Sequence, residues 1–308
     1  MEGNRWVARP KFGLPAPSAG AVRLFCFTPA GAGPTVYTSN SWAKLPPSIE
    51  LAPVLLPGRA QRFGEQPLKT VAAIAQQAFE GLRPALGERP YALYGHSLGS
   101  CVALEFARLI VAAGLPRPIH VFLAAKGAPL ATNADPMASI PGDLDFVKAV
   151  QVKYQSEAMQ MVIDNPDLME MVIPMMRADF GAAESYVVTA AAQPLDIPVS
   201  AIGGSEDVYT EEHFTAWAQF VQPGAEAAVL LRARLWTACA TDSVFAISTD
   251  RVLAWRHNAS GSNPHVLRQR PPTRALRPTD QDIGVVASSY LRANYFSATC
   301  TDLSGVGV

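Results

Sequence analysis

The sequence predicts an α/β fold, with a mostly parallel β-sheet covered by helices on both faces and a helical insertion. Three observations point to it. Short, continuously apolar runs alternate with segments of helical spacing, which is typical of a sheet buried on both faces. Hydrophobic residues make up 49% of the 308 residues, enough for one sizeable core. One segment between two predicted strands is helical throughout, which predicts the insertion.

The first half of the predicted sheet contains three strands. VRLFCFTP (22–29) and IELAPVLLPG (49–58) are short and almost continuously apolar, as buried parallel strands are. LKTVAAIAQQAFEGLRPAL (68–86) has apolar residues at helical spacing and predicts the first helix. PYALYG (90–95) predicts the third strand. SCVALEFARLIVAAG (100–114) predicts a second, largely buried helix that ends at a glycine.

The second half of the sheet follows the same alternation. PIHVFLAAKGAP (118–129) and IPVSAIGGSED (197–207) predict two further strands. EEHFTAWAQFV (211–221) has helical spacing, and AAVLL (227–231) is the last segment that predicts a strand. These nine segments together define a doubly covered parallel sheet.

The segment between the fourth and fifth strands has a different composition. Residues 143–182 predict two or three helices, and six of the eight methionines fall between Met159 and Met176. Pro174 is expected to interrupt one of these helices. Methionine-rich surfaces accept varied apolar ligands, so we interpret residues 132–185 as a lid over the active face. An ordinary helical layer that uses methionine in its core is the alternative.

Both ends of the chain differ from the middle. Residues 1–20, rich in Pro, Gly and Ala, are expected to form a loose lead-in before a domain spanning 21–231. Residues 232–308 contain nine arginines but no lysine or glutamate, and much of this tail has the composition of a poorly ordered segment. A frameshift, a retained intron or a wrong gene model would produce such a change, and a genuine replacement tail is the alternative.

Composition also limits the classes of partner. The net charge of −1 and the pI near 6.5 predict neither nucleic acid nor an anionic membrane as a partner. No apolar run reaches the ~18 residues of a membrane span, and the N-terminus lacks the apolar core of a secretory signal. The four cysteines lack metal-type spacing, and Cys26 and Cys101 are expected to be buried reduced thiols. We therefore expect a cytoplasmic monomer without metal or cofactor.

The pentapeptide Gly95-His96-Ser97-Leu98-Gly99 has the G-x-S-x-G pattern of a nucleophile elbow. The pattern alone is weak, but here a predicted strand precedes it and a predicted helix follows it, as the elbow requires. Glycines suit the two flanking positions because side chains there would collide with the strand and the helix. Ser97 is therefore the candidate nucleophile. The alternative is a strand-to-helix turn with an incidental serine.

A serine nucleophile needs a histidine base, a carboxylate that orients the histidine, and an oxyanion hole. In this architecture the acid follows a late strand, which favours Asp207 over its neighbour Glu206. The alternative is that Asp207 only caps the helix at 211–221. The backbone N–H of Leu98, after the nucleophile, and that of Ala30, in the glycine-rich loop after the first strand, are the candidate oxyanion donors.

Five motifs follow one another in order within residues 22–231. They are LFCFTPAGAGP (24–34), ELAPVLLPGRAQRFGEQPL (50–68), YALYGHSLGSCVALEFA (91–107), Lys-Gly-Ala-Pro (126–129) and RADFGAAESY (177–186). With these motifs the chain resembles the type II thioesterases, the stand-alone α/β-hydrolases that serve fatty-acid, polyketide and nonribosomal-peptide synthases. The resemblance implies that Ser97 is the nucleophile, Asp207 the triad acid, and Ala30 and Leu98 the oxyanion donors. It further implies hydrolysis of acyl thioesters on the phosphopantetheine arm of an acyl or peptidyl carrier protein.

The expected catalytic histidine is missing from its family position. That position falls near Arg234, and no histidine occurs between His213 and His257. His257 and His265 lie in loop-like sequence, so exposed tail residues are a simpler interpretation than a catalytic base. Two further hypotheses therefore stay open: an acyl- or carrier-binding homologue that lacks catalysis, and a different α/β-hydrolase such as an esterase or acyltransferase.

Overall fold

A parallel β-sheet organises the structure, a computed structural model that describes residues 3–8, 16–37, 42, 45–130, 136–154, 156–188, 193–204, 208–225, 227–232 and 265–268. Within these residues the sheet has seven strands in the order β2-β1-β3-β4-β5-β6-β7, and every neighbouring pair is parallel. The strands are β1 (Val22–Phe27), β2 (Ile49–Pro53), β3 (Tyr91–His96), β4 (Val121–Ala124), β5 (Val199–Gly204), β6 (Ala227–Arg232) and β7 (His265–Arg268). All six predicted strands are confirmed, with shorter bounds.

Three helices of the sheet layers also match the predictions. The helix α1 (Val71–Leu82) begins after Thr70, whose hydroxyl accepts a hydrogen bond from the Ala73 N–H at 3.1 Å. The helix α2 (Leu98–Ala112) is mostly buried, as its continuously apolar sequence predicts. The predicted helix at 211–221 is a short α-helix, α6 (Glu211–Thr215), that continues as a 3-10 helix, Ala216–Phe220.

The two faces of the sheet bury two separate hydrophobic clusters. Because side chains alternate along a strand, Phe25 and Phe27 of β1 point into the larger cluster. Leu24 and Cys26 point into the smaller one on the opposite face. The larger cluster also holds the apolar faces of α1 and α2. The sheet is therefore covered on both sides, as the continuous apolar strands predict. Cys101 is a buried thiol like Cys26, as expected.

The predicted helical insertion lies between β4 and β5. It consists of α3 (Asp143–Tyr154), α4 (Ala158–Asp164) and α5 (Pro166–Ser185), which share a hydrophobic cluster of their own. The expectation that Pro174 interrupts a helix is wrong, since α5 runs through it. Buried Ile173, Met175 and Met176 beside the proline pack into the insertion's cluster, and this packing maintains the helix.

Part of the N-terminal segment, expected to be loose, is docked against the sheet. Val7 forms an antiparallel bridge with Val54, just after β2, and Trp6 is buried. Trp6 fits where Gly81 of α1 has no side chain, because a Cβ there would overlap the indole ring. The guanidinium of Arg62 stacks on the indole at 4.1 Å from its centroid. Burial of this large aromatic side chain thus holds in place a segment whose composition predicts a loose conformation.

The strand β7 was not predicted, because its sequence lies in a segment rich in Pro, Arg and Ser. It pairs with β6 in parallel, with Ala228 opposite His265. The rest of the predicted tail, residues 233–264 and 269–308, lies outside the described residues. Within the described part of the chain, no helix has the length and apolar character needed to cross a membrane.

Candidate active site

Ser97 occupies a strained turn between β3 and α2. Its backbone has φ +53° and ψ −114°, a conformation that residues with a side chain rarely adopt. The Ser97 N–H donates to the Ala124 carbonyl of β4 at 2.8 Å, and the Ser100 hydroxyl donates to the same oxygen at 2.9 Å. These bonds hold the strained turn in place. Ser97 stays partly exposed, and the turn has the strand–turn–helix geometry that the sequence pattern predicts.

The two glycines of the elbow have no room for side chains. A Cβ on Gly95 would overlap the carbonyl of Gly99, which lies in the first turn of α2. A Cβ on Gly99 would overlap the carbonyl of Phe27, the last residue of β1. The second contact places the end of β1 directly against the start of α2, so the loop that follows β1 begins beside the elbow.

The predicted oxyanion donors come from these two adjoining segments. Phe27 pairs with Gly95 across β1 and β3, and Ala30 follows Phe27 by three residues. Leu98 is the first residue of α2, where the helix dipole favours negative charge. In the part of the chain that the structure describes, neither the Ala30 N–H nor the Leu98 N–H has a hydrogen-bond acceptor. Neither N–H is therefore used in a bond among the described residues, and the role of both groups as oxyanion donors stays a prediction.

A buried ion pair, which the sequence analysis did not assign a role, holds the loop that carries Ala30. Arg59 donates two hydrogen bonds of 2.8 Å to the Asp179 carboxylate. Asp179 also accepts from the Gly31 N–H at 2.8 Å, and Arg59 donates to the Ala32 carbonyl at 2.9 Å. Arg59 and Asp179 each lie in one of the motifs that carry the family resemblance, at 50–68 and 177–186. Their pairing was not predictable from the sequence, because they are 120 positions apart.

The predicted triad acid falls just past the described residues. The strand β5 ends at Gly204, and Asp207 lies in 205–207, outside the described residues, so its role stays a prediction. The alternative, that Asp207 caps α6, is wrong because the N-cap residue is Thr210. The Thr210 N–H donates to Nδ1 of His213 at 3.0 Å. His213 is thereby the exposed helix residue that the sequence predicts.

Two other histidines are structural. His120 lies just before β4 with its Nε2 3.0 Å from the Ser200 hydroxyl oxygen, and burial lowers its pKa to about 3. His96, inside the elbow, has its Nδ1 3.5 Å from the Tyr94 hydroxyl, and burial lowers its pKa to about 4. Since burial disfavours the protonated imidazole, both rings are neutral at pH 7.

The backbone of β7 places His265 far from Ser97. Four strand steps separate β3 from β7, about 19 Å at ~4.8 Å per step. Across the paired strands, His265 lies level with Tyr94, three residues before Ser97. His265 is also the first residue of β7 and so lies at the amino end of that strand. This register does not suit a catalytic base. The row runs Tyr94, Phe122, Ser200, Ala228, His265. His257 and Arg234 lie outside the described residues.

The parallel sheet, the strained serine between strand and helix, and the two adjoining N–H donors define an α/β-hydrolase. A family model described as a thioesterase domain matches residues 22–257. The chain belongs to this thioesterase family, which confirms the resemblance found in the sequence. The match also extends past residue 231, where the sequence motifs end.

Named relatives support the same assignment. The chain is 33% identical over 224 residues to linear gramicidin dehydrogenase LgrE of Brevibacillus parabrevis, covering 70% of this chain and 80% of that one. It is 32% identical over 207 residues to thioesterase PikA5 of Streptomyces venezuelae, covering 67% and 70%. Among solved structures, it is similar to the type II thioesterase BorB of the borrelidin cluster, with 26% identity, a TM-score of 0.62 and coverage of 74% and 87%.

Proposed function

We propose that this thioesterase hydrolyses acyl groups held as thioesters on the phosphopantetheine arm of carrier proteins. The released product is a free fatty acid or an aberrant acyl group removed from a biosynthetic synthase. The observation that carries the proposal is Ser97 in its strained turn, beside the N–H groups of Ala30 and Leu98, which have no acceptor among the described residues. The similarity to PikA5 and BorB supports the substrate class.

The geometry supports a two-step acyl transfer. The Ser97 oxygen attacks the thioester carbonyl, and the Ala30 and Leu98 N–H groups donate to the oxyanion that forms. The C–S bond then breaks, and the pantetheine thiol leaves with a proton. Water next attacks the Ser97 ester, which releases the carboxylic acid and restores the hydroxyl. A base must accept the serine proton, and Asp207 is the proposed residue that orients it.

The base determines how active the chain is. No histidine stands between His213 and His257, so the position that follows β6 in the family lacks one. Hydrolases without one triad member typically retain ~10³–10⁴-fold catalysis over water, from binding and the oxyanion hole. We therefore expect slow hydrolysis by this chain. Sequencing of the transcript across residue 231 separates a genuine tail from a frame or splicing difference, since only the latter would encode a Gly-Gly-His turn there.

The helical insertion is the proposed lid and acyl site. Ala30 packs against the insertion's hydrophobic cluster, and a Cβ on Gly31 would lie 3.3 Å from Met176. The cluster is rich in methionine, whose flexible side chains adapt to varied apolar chains. A groove of about 420 Å³ between α5 and the loop that precedes α1, lined in part by Pro67 and Pro174, is large enough for a small ligand.

Replacement of the nucleophile tests the proposal directly. Ser97→Ala should abolish hydrolysis of a hexanoyl thioester of N-acetylcysteamine, because no hydroxyl remains to form the acyl-enzyme. Ser139→Ala, which changes an exposed serine in the insertion, serves as the matched control and should leave the rate unchanged. Equal thioester hydrolysis by the wild type and Ser97→Ala would contradict the proposed function.

The missing histidine favours a second candidate, a module that binds acylated carrier protein without turnover. It predicts binding of a hexanoyl carrier protein with no acyl-enzyme on Ser97. Mass spectrometry of the protein after mixing with substrate distinguishes the two, since a hexanoyl adduct on Ser97 forms only in the hydrolase. A preference for oxygen esters in the same assay would indicate an esterase.

A further inference from the structure

We propose that Arg59 and Asp179 are positioning residues that fix the oxyanion loop, residues 29–33, and link it to α5 of the insertion. The inference deepens the proposed function and rests on it, because the loop matters for catalysis only if Ala30 binds an oxyanion. Neither residue contacts the reacting atoms in this scheme. They act through the backbone on either side of Gly31.

The pair joins three segments that are distant in sequence. Arg59 comes from the loop after β2, Asp179 from α5, and the bonded backbone groups of Gly31 and Ala32 from the loop after β1. Arg59 is 4% exposed and Asp179 is fully buried. A bidentate guanidinium–carboxylate pair is planar and directional, so it fixes orientation as well as distance.

The bonded groups lie next to the predicted oxyanion donor. The Gly31 N–H belongs to the peptide that begins with the Ala30 carbonyl, so its bond to Asp179 orients the plane that follows Ala30. Gly31 has φ +73°, a left-handed conformation that suits glycine, and the Ala32 N–H donates to the Pro29 carbonyl at 3.2 Å across this turn. Asp179 and Arg59 add two bonds from outside the turn, at the Gly31 N–H and at the Ala32 carbonyl.

Arg59 is itself held rigidly. Gly58 before it has φ +79°, and a Cβ there would lie 2.7 Å from Pro67, so the loop folds tightly on itself. The Arg59 Nε donates to the Pro57 carbonyl at 3.4 Å, and the Gly58 N–H donates to the Arg62 carbonyl at 3.0 Å. A fixed arginine can impose a position on its partners, whereas a freely rotating one cannot.

Stability alone is a weak explanation for this pair. Moving two charges out of water costs free energy that their attraction often fails to exceed, and apolar replacements of buried pairs are often neutral or stabilising. What an apolar pair cannot do is accept from the Gly31 N–H and donate to the Ala32 carbonyl. The structure therefore separates a packing role, which apolar side chains can fill, from a positioning role, which they cannot.

The test replaces the pair with apolar residues of similar total volume, Arg59→Met with Asp179→Val. A second variant, Arg59→Lys, keeps the charge but loses the bidentate fork, which guards against failure of the double variant to fold. The matched control is Arg23→Met, a buried arginine at the opposite end of β1. Hydrogen–deuterium exchange of the peptide that contains residues 28–37 reports the loop without substrate, and thioester kinetics report kcat and KM.

The expected result is faster exchange at Gly31 and Ala32 in both pair variants, with kcat lowered about 10²-fold in the double variant and KM nearly unchanged. Arg23→Met should alter neither the exchange of this loop nor kcat. Unchanged loop exchange in folded pair variants would overturn the inference, as would faster exchange with unchanged kcat. If the wild type shows no Ser97-dependent turnover, the proposed function fails, and the exchange data still decide whether the pair holds the loop.

Discussion

The amino and carboxyl ends of the sheet use buried arginine in different ways. At the amino end, Arg23 donates to Glu50 at 3.0 Å and to Glu88 at 2.8 Å, and both carboxylates are partly exposed. At the carboxyl end, Arg59 pairs with the fully buried Asp179, and both also bind backbone beside Ala30. The first arrangement pairs charges at the edge of the protein surface. The second fixes the backbone of the loop that contains Ala30.

Backbone strain follows the same division. Among the described residues, three non-glycine residues have positive φ: Ala60, Ser97 and Ala125. Ser97 and Ala125 directly follow the carboxyl ends of β3 and β4, and Ala60 lies seven residues past the end of β2. Strained conformations cost about 1–3 kcal/mol each and persist only where the surroundings fix them. The carboxyl end of the sheet therefore carries backbone strain that costs stability and fixes the geometry of the site. Among the described residues, the amino end carries no such strained non-glycine residue.

The largest expected effect comes from a methyl group in the elbow. Gly99→Ala places a Cβ against the Phe27 carbonyl, so β1 and α2 must separate. We expect a drop in the melting temperature of about 6–12 °C, or loss of soluble protein, since such overpacking costs about 3 kcal/mol and each kcal/mol lowers the melting temperature by about 2–4 °C. The control, Gly20→Ala just before β1, meets no atom within 4 Å and should melt within 2 °C, about the effect of a neutral surface change.

Retention of the wild-type melting temperature by Gly99→Ala would show that the elbow can relax, and the proposed contrast in strain between the two ends would fail. Circular dichroism during heating is a sufficient measurement, because the comparison needs only the difference between two single-methyl variants.

An intermediate effect is expected at the amino end. Arg23→Met removes four charge-assisted bonds, two to Glu50 and one each to Glu88 and the Ala85 carbonyl. We expect a loss of about 2–3 kcal/mol in the free energy of unfolding in urea, partly offset by water reaching the exposed carboxylates. Because these partners lie away from Ser97, kcat should stay within twofold of wild type. A tenfold fall in kcat at full folding would break the division between the two ends.

The smallest expected effect is a pH dependence from the amino end. The pKa of His120 is about 3 in the folded protein, below the ~6.5 of an unfolded chain, so the unfolded state binds more protons between these values. The free energy of unfolding should therefore fall as pH drops below 6.5, by about 2 kcal/mol at pH 5 from this residue.

His120→Asn removes this titration and should flatten the profile measured by urea unfolding between pH 7 and pH 5. His96, at the carboxyl end, has a folded pKa of about 4 and should produce a similar slope that remains in the variant. An identical slope in wild type and His120→Asn would contradict a neutral, buried His120.

The elbow was predictable because its chemistry is local. A strand, a five-residue turn and a helix are contiguous in sequence. The positions that must lack a side chain are visible directly as Gly95 and Gly99. Leu98 and Ala30 were chosen from their places relative to that turn, and their role as oxyanion donors stays a prediction. Pro174 misled because a local rule against proline in helices was outweighed by packing on both sides of it. Trp6 was missed because its binding site includes Gly81, 75 residues away.

By itself, the sequence determined the order of the first six strands and their helices, the strand–turn–helix setting of Ser97 and the absence of a histidine between His213 and His257. Periodicity and contiguous motifs carry that information, because they depend on neighbours along the chain. Only the tertiary structure decided that Arg59 and Asp179 meet beside Ala30, and that His265 lies at the amino end of a strand four steps from β3. Both facts depend on which segments, distant in sequence, come together at one edge of the sheet. That arrangement exists only in the folded chain.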